Sequence, residues 1–195
     1  MVQLASASSE NFRRRPELAG RNRSVKLKNN TRQIHCHSGL TMRSVNEWFG
    51  NYSRDHQNPV NRAIHWICVP AILWAVMAAL WVIPVPSSIG RPGFWCGLAI
   101  VGAFGFYWKM SRPVGAAMLL VFIVFAIGCE LLYRSVGPTH MLMVAGTVFV
   151  LAWIGQFIGH VIEGARPSFF TDLAYLLIGP AWLAGKLMRR LNIRY

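Results

Sequence analysis

Acidic residues are scarce in this chain: seven Asp and Glu stand among 195 residues, against 20 Lys and Arg. Charge of either sign makes up only 14% of it, whereas a water-soluble domain carries roughly 25%. Such a chain is short of the polar surface that a soluble globular domain needs. Cysteine is sparse as well, and the four thiols at 36, 68, 96 and 129 show no C-x-x-C spacing. No disulfide framework and no cysteine-based metal site follows from them, and the three inside apolar stretches read as small hydrophobes. Residues 1–41 contain almost no large apolar side chain and no apolar core of the signal-peptide kind, so this segment is not expected to be a secretory leader. Internal repeats are absent from the sequence too.

What is present instead is length of apolar run. Hydrophobic residues make up 54% of the chain, bunched at 64–84, 94–108, 113–133 and 141–162. A helix crosses a bilayer core with about 20 apolar residues. The first, third and fourth runs suffice. The second is completed by Gly93, Lys109 and Met110, with Trp95, Tyr107 and Trp108 as interface residues. A fifth stretch, 173–187, is interrupted by Gly179-Pro180 and is too short to span, so a re-entrant or interfacial element is expected there. After Met42, the spacing of Val45, Trp48, Phe49 and Tyr52 predicts a short amphipathic helix at the interface. The expected fold is therefore an all-α membrane protein with four transmembrane helices, an N-terminal interfacial helix and a C-terminal re-entrant or interfacial element. Residues 1–41 read as a disordered basic extension ahead of a natural start at Met42, and 42–195 as a single transmembrane catalytic domain.

The net charge of +13 does not describe a nucleic-acid surface. Eight of the basic residues lie in 1–41, and most of the others flank the apolar runs, as membrane topology requires. Arg43, Arg54 and Arg62 precede the first run, Lys109 and Arg112 lie between the second and third, and Arg166, Lys186, Arg189, Arg190 and Arg194 follow the fourth. Placing both termini and the 109–112 connection in the cytoplasm puts the majority inside. The expected location is a multi-pass protein of the bacterial inner membrane, or of the endoplasmic reticulum membrane in a eukaryote.

That topology brings three imidazoles to one membrane face. His56 lies before the first span, His65 just inside it, and His160 near the end of the fourth, whereas His140 falls on the opposite face. Asn58-Pro59 has the form of a helix cap with proline at the first helical position. Asn58, Asn61 and His65 then share one helical face, and Pro70 is expected to kink the helix a turn further on. On the fourth span Gln156, His160 and Glu163 repeat the spacing, and Gly155 and Gly159 permit close helix approach. Ionisable groups inside membrane helices are costly and mark function by default. Histidines with a carboxylate suit non-haem iron, and by spacing alone zinc fits nearly as well.

The stretches "HQNPVNRAIHWICVP" and "WIGQFIGHVIEGARPSFFTDLAYLLIGPAW" resemble the signatures of the membrane-bound 2-hydroxy fatty acid dioxygenases, over roughly residues 44–187. The resemblance implies Fe(II)-dependent α-oxidation, in which a 2-hydroxy fatty acid reacts with O2 and yields a fatty acid one carbon shorter. It also implies that His56, His65 and His160 are the metal ligands and catalytic residues. Glu163 is a further candidate ligand, one position nearer the histidine than in the fungal member, and its other reading is a partner of Arg166. Arg62 and Arg166 are candidates to steer the substrate carboxylate, and Asn58, Asn61 and Gln156 to orient the imidazoles. The implied partners are the hydroxy acid, O2 and the lipid bilayer, with no nucleic acid. A zinc-dependent membrane lipid hydrolase and a non-catalytic scaffold or transporter are the other readings. The sequence sets no oligomeric state.

Overall fold

The computed structural model describes residues 44–164 and 174–195, leaving out the side chains of residues 174 and 175. The expectations placed on residues 1–41, on Met42 as the start and on Arg166 lie outside the described residues. Within them all regular structure is helical, in five elements: α1 (Val45–Arg54), α2 (Pro59–Trp81), α3 (Phe94–Met110), α4 (Arg112–Glu163) and α5 (Ala174–Arg190).

Local chemistry sets the starts. Ser44 caps α1 in a capping box, with the Ser44 amide donating to the Glu47 carboxylate (2.7 Å) and the Glu47 amide to the Ser44 hydroxyl (3.3 Å). Val45, Phe49 and Tyr52, one face of α1, are buried. Asn58 caps α2 by accepting from the Val60 amide (2.8 Å), ahead of Pro59. α2 stays helical through Pro70.

The third and fourth apolar runs are not separated by a loop, as the sequence suggests, but by a single residue. Within α4, Gly137 alone leaves helical geometry (φ 74°, ψ 173°), and Pro138 opens the next limb. Positive φ is open to glycine without a Cβ penalty, and proline at a helix start loses no hydrogen bond. The chain reverses there. Gly128 lies against Trp74, and Gly155 against Cys68. A straight helix would part residues 128 and 155 by about 40 Å, whereas residues 68 and 74 of α2 are only about 9 Å apart. The two limbs, 112–136 and 138–163, therefore both lie along α2.

α5 also departs from expectation: it continues through Gly179-Pro180 rather than breaking. Proline at 180 removes only the donor to the Leu176 carbonyl, and the Tyr107 hydroxyl donates to the adjacent Leu177 carbonyl (2.7 Å). α5 docks on α1 through the Trp182 indole, which donates to the Ser53 hydroxyl (2.8 Å), and through Gly185 against the Phe49 ring.

Outside this core the helices are apolar all round. Val161 is 81% exposed, Ile67 74% and Val101 67%. Exposed apolar surface on this scale marks a surface made for something other than water. α2 and α4 are long and apolar enough to cross a membrane, by length and composition; α3, with 17 residues, is a shorter apolar helix.

The α3–α4 turn yields a test of this packing. A β-carbon on Gly115 would lie 2.9 Å from the Trp108 Cα, a backbone atom that cannot swing aside. Gly115→Ala is expected to cost about 1–3 kcal/mol through overpacking. Gly146→Ala, with nothing within 4 Å of the added carbon, should leave stability unchanged or slightly higher. Thermal unfolding in detergent compares the two; equal midpoints would show the helices are not in contact there.

Candidate metal centre

Three elements each contribute an imidazole. His56 sits in the turn joining α1 to α2, His65 in the second turn of α2, and His160 in the last turn of α4. All three are buried, at 2%, 1% and 6% exposure. One ring nitrogen from each can be chosen so that all three lie within 4.8 Å of one another. His56 Nε2 and His65 Nε2 are 3.1 Å apart.

The other nitrogens of two of these rings are committed. His56 Nδ1 meets the Tyr52 carbonyl (2.7 Å), and His65 Nδ1 meets the Asn61 carbonyl (2.9 Å). A carbonyl only accepts, so each Nδ1 carries the proton and each neutral ring turns a bare Nε2 lone pair inward. Two lone pairs at 3.1 Å repel unless a cation lies between them. Burial lowers the affinity of His56 for a proton, against the opposing pull of the Tyr52 carbonyl. His160 Nδ1 is buried with no hydrogen-bond partner among the described residues. Neutral imidazoles with converging lone pairs fit a divalent transition-metal ion.

Glu163 is not among the grouped ligand atoms. Its carboxylate accepts from the backbone amides of Gln57 (2.7 Å) and Asn58 (3.0 Å) and from the Asn61 amide (3.0 Å). It thereby ties the end of α4 to the start of α2, where amide donors favour an anion. Asn61 is fully buried, with Oδ1 unpartnered among the described residues and pressed on Gly159, where there is no room for a β-carbon. Gly155 does the same for Cys68, so the small-residue pair is where α4 meets α2.

Asn58 caps its own helix, and Gln156, one turn from His160, is buried and faces a cavity. Arg62 is half-buried on α2, and His140 is exposed, its Nδ1 meeting the Val136 carbonyl. Two neighbours were not singled out as site residues from sequence. Tyr52 stacks on His56 (centroids 4.2 Å apart, planes at 8°), and burial keeps its phenol protonated well above the ordinary range. Its place four residues before His56 was a readable signal. Trp182, 5.8 Å from the His56 ring, closes the second motif, but nothing in its spacing pointed to His56, because only the docking of α5 brings it there.

The cavity has a volume of about 340 Å³ and runs from the histidines between α2, the second limb of α4 and α5. Gln156 is polar; the walls beyond are Val69, Ile72, Leu73, Val76 and Phe149.

The chain matches the family described as 2-hydroxy-palmitic acid dioxygenase Mpo1-like over residues 42–191. It is 29% identical over 130 residues to the 2-hydroxy-palmitic acid dioxygenase MPO1 of Saccharomyces cerevisiae, covering 66% of this chain and 70% of that protein. No solved structure matches it significantly.

Glu163→Gln separates a tie from a ligand. The amide keeps one acceptor oxygen but loses the charge, so stability is expected to fall by about 1 kcal/mol, below the usual range for charged hydrogen bonds because solvent screens this carboxylate. Metal content after loading with a divalent ion should remain near that of the parent. Metal loss as complete as in His65→Ala would make Glu163 a ligand.

Proposed function

The chain belongs to the 2-hydroxy-palmitic acid dioxygenase Mpo1-like family, and from that premise we propose that it is a membrane-embedded, Fe(II)-dependent 2-hydroxy fatty acid dioxygenase. The observation that carries the reading is the buried trio of inward-facing imidazoles at the head of an apolar cavity. The reaction releases C1 of the acid as carbon dioxide and raises C2 from an alcohol to a carboxylic acid. That removes four electrons, which one O2 accepts, and water balances the remaining atoms.

His56, His65 and His160 hold the metal through neutral nitrogens. A ferrous ion there supplies the Lewis-acid and redox chemistry that the reaction with O2 requires. The chain's own residues do the positioning. The Tyr52 and Asn61 carbonyls hold His56 and His65 in the tautomer that frees Nε2. Glu163 and Asn61 fix the turn carrying His56, and Tyr52 stacks against its ring. Gln156 offers its amide to the substrate's polar head, and the apolar walls take the acyl chain and exclude water. Arg62, half-buried on α2, attracts the carboxylate to this end.

In the membrane, α2, α3 and the two limbs of α4 form four spans, with both termini and the site on the cytoplasmic side. The exposed apolar flanks support the spans, the basic residues at the ends of the runs support the sidedness, and the onset of the family match at residue 42 supports a catalytic domain over 42–195. A zinc-dependent lipid hydrolase is the second reading, favoured by a ligand group of three histidines without a carboxylate.

Purified protein supplied with Fe(II), O2 and 2-hydroxypalmitic acid should release the acid one carbon shorter. Failure with iron, combined with ester or amide cleavage in the zinc form, would replace the first reading by the second. His56→Ala, His65→Ala and His160→Ala should each lose the metal and reduce turnover beyond the about 10–100-fold typical of residues behind the ligands. His140→Ala should do neither. Metal analysis and product chromatography read both, and full activity with full metal in any of the three would remove that histidine from the site.

A further inference from the structure

Resting on that reading, the cavity's walls show how the substrate's tail is accommodated. On α2, His65, Val69, Ile72 and Val76 follow one helical face. On the second limb of α4, His160, Gln156, Trp153 and Phe149 follow the matching face in the reverse direction, with the same spacings of four, three and four. All eight line the cavity. The two antiparallel stripes make four rungs: the histidines, then Val69 with Gln156, Ile72 with Trp153, and Val76 with Phe149.

Burial changes steadily along these rungs. The histidines are 1% and 6% exposed, and Val69 and Gln156 are 9% and 6% exposed. Ile72 and Trp153 are half-buried, and Val76 and Phe149 reach 41% and 38%. The cavity is thus closed and polar at the metal centre and open and apolar about 16 Å away along α2, eleven residues further on. Next to Phe149 on the second limb, Val150 and Leu151 are exposed as well.

We propose that the cavity is an acyl slot open sideways to the bilayer core, through which a single-chain lipid enters laterally with its tail leaving past Val76 and Phe149. The head reaches the histidines and Gln156 while the far carbons remain in the membrane. Tail length beyond the slot is therefore not read, because the rim at the Val76–Phe149 rung is open. Closing that rim turns an open slot into a blind one, which must reject the tails that the open slot lets pass.

Two experiments on the full chain in phospholipid vesicles test this. A 2-hydroxy fatty acid carrying a mid-chain diazirine is photolysed with the protein, and the adducts are mapped by mass spectrometry. Adducts are expected on the Ile72–Val76 and Phe149–Trp153 stripes; adducts confined to α3 or the first limb of α4 would overturn the slot. In the second, Val76→Trp should lower the ratio of long-tail to short-tail turnover by at least about tenfold, the scale on which a pocket resolves a few methylenes. Phe149→Trp provides an independent variant, and metal content confirms that each has folded. An unchanged ratio in folded variants would overturn the proposal. Stripe adducts without any turnover would retain the slot and reject the dioxygenase reading, whereas turnover without stripe adducts would do the reverse.

Discussion

Two imidazole nitrogens facing each other at 3.1 Å set the terms for the rest of the molecule. Each ring is held by a carbonyl behind it, so neither can turn its lone pair away without abandoning a buried hydrogen bond. A neutral pair so arranged is repulsive, and a third inward-facing imidazole from a distant segment adds to the effect. The arrangement is sensible when a cation binds there, and the surrounding contacts keep the rings in place for it. The repulsion is local, whereas the residues that oppose it come from α1, α2, α4 and α5.

Helix approach is the means. Gly159 lets α4 come onto Asn61 without a β-carbon between them, and Glu163 fastens the last turn of α4 to the amides preceding α2. Tyr52 closes the third side by stacking on His56, and α5 holds α1 in position through Trp182 and Gly185. None of these contacts is large. Together they fix the His56 turn, which lies outside any helix and would otherwise be the least constrained part of the site.

The apolar exterior has the complementary role. Helices α2, α3 and α4 expose large side chains that a water-soluble protein would bury, while the buried polar residues of α2 and α4, namely Asn61, His65, Gln156 and His160, lie at the end that carries the site. A lipid acid has the same polarity gradient, with a charged head and an apolar tail. The cavity reproduces that gradient along α2, from imidazole and Gln156 to valine, leucine and phenylalanine.

Period and composition determined much of this on their own. The apolar runs gave the helices, Asn58-Pro59 the start of α2, and the placing of charge the grouping of His56, His65 and His160 away from His140. These are properties of one segment or of the order of segments, and they survive without knowledge of side-chain contacts. Tertiary structure decided the rest. Only the fold shows that Glu163 faces backbone amides, because i+3 spacing from His160 is compatible with a ligand, an ion-pair partner or a tie. Only the fold shows that α5 passes through Pro180 and delivers Trp182 to the site, because that delivery is made by contacts with α1 at Ser53 and Phe49. The same holds for Gly137, where one positive φ replaces a loop, and for the cavity, which belongs to the space between elements and to no single stretch of chain.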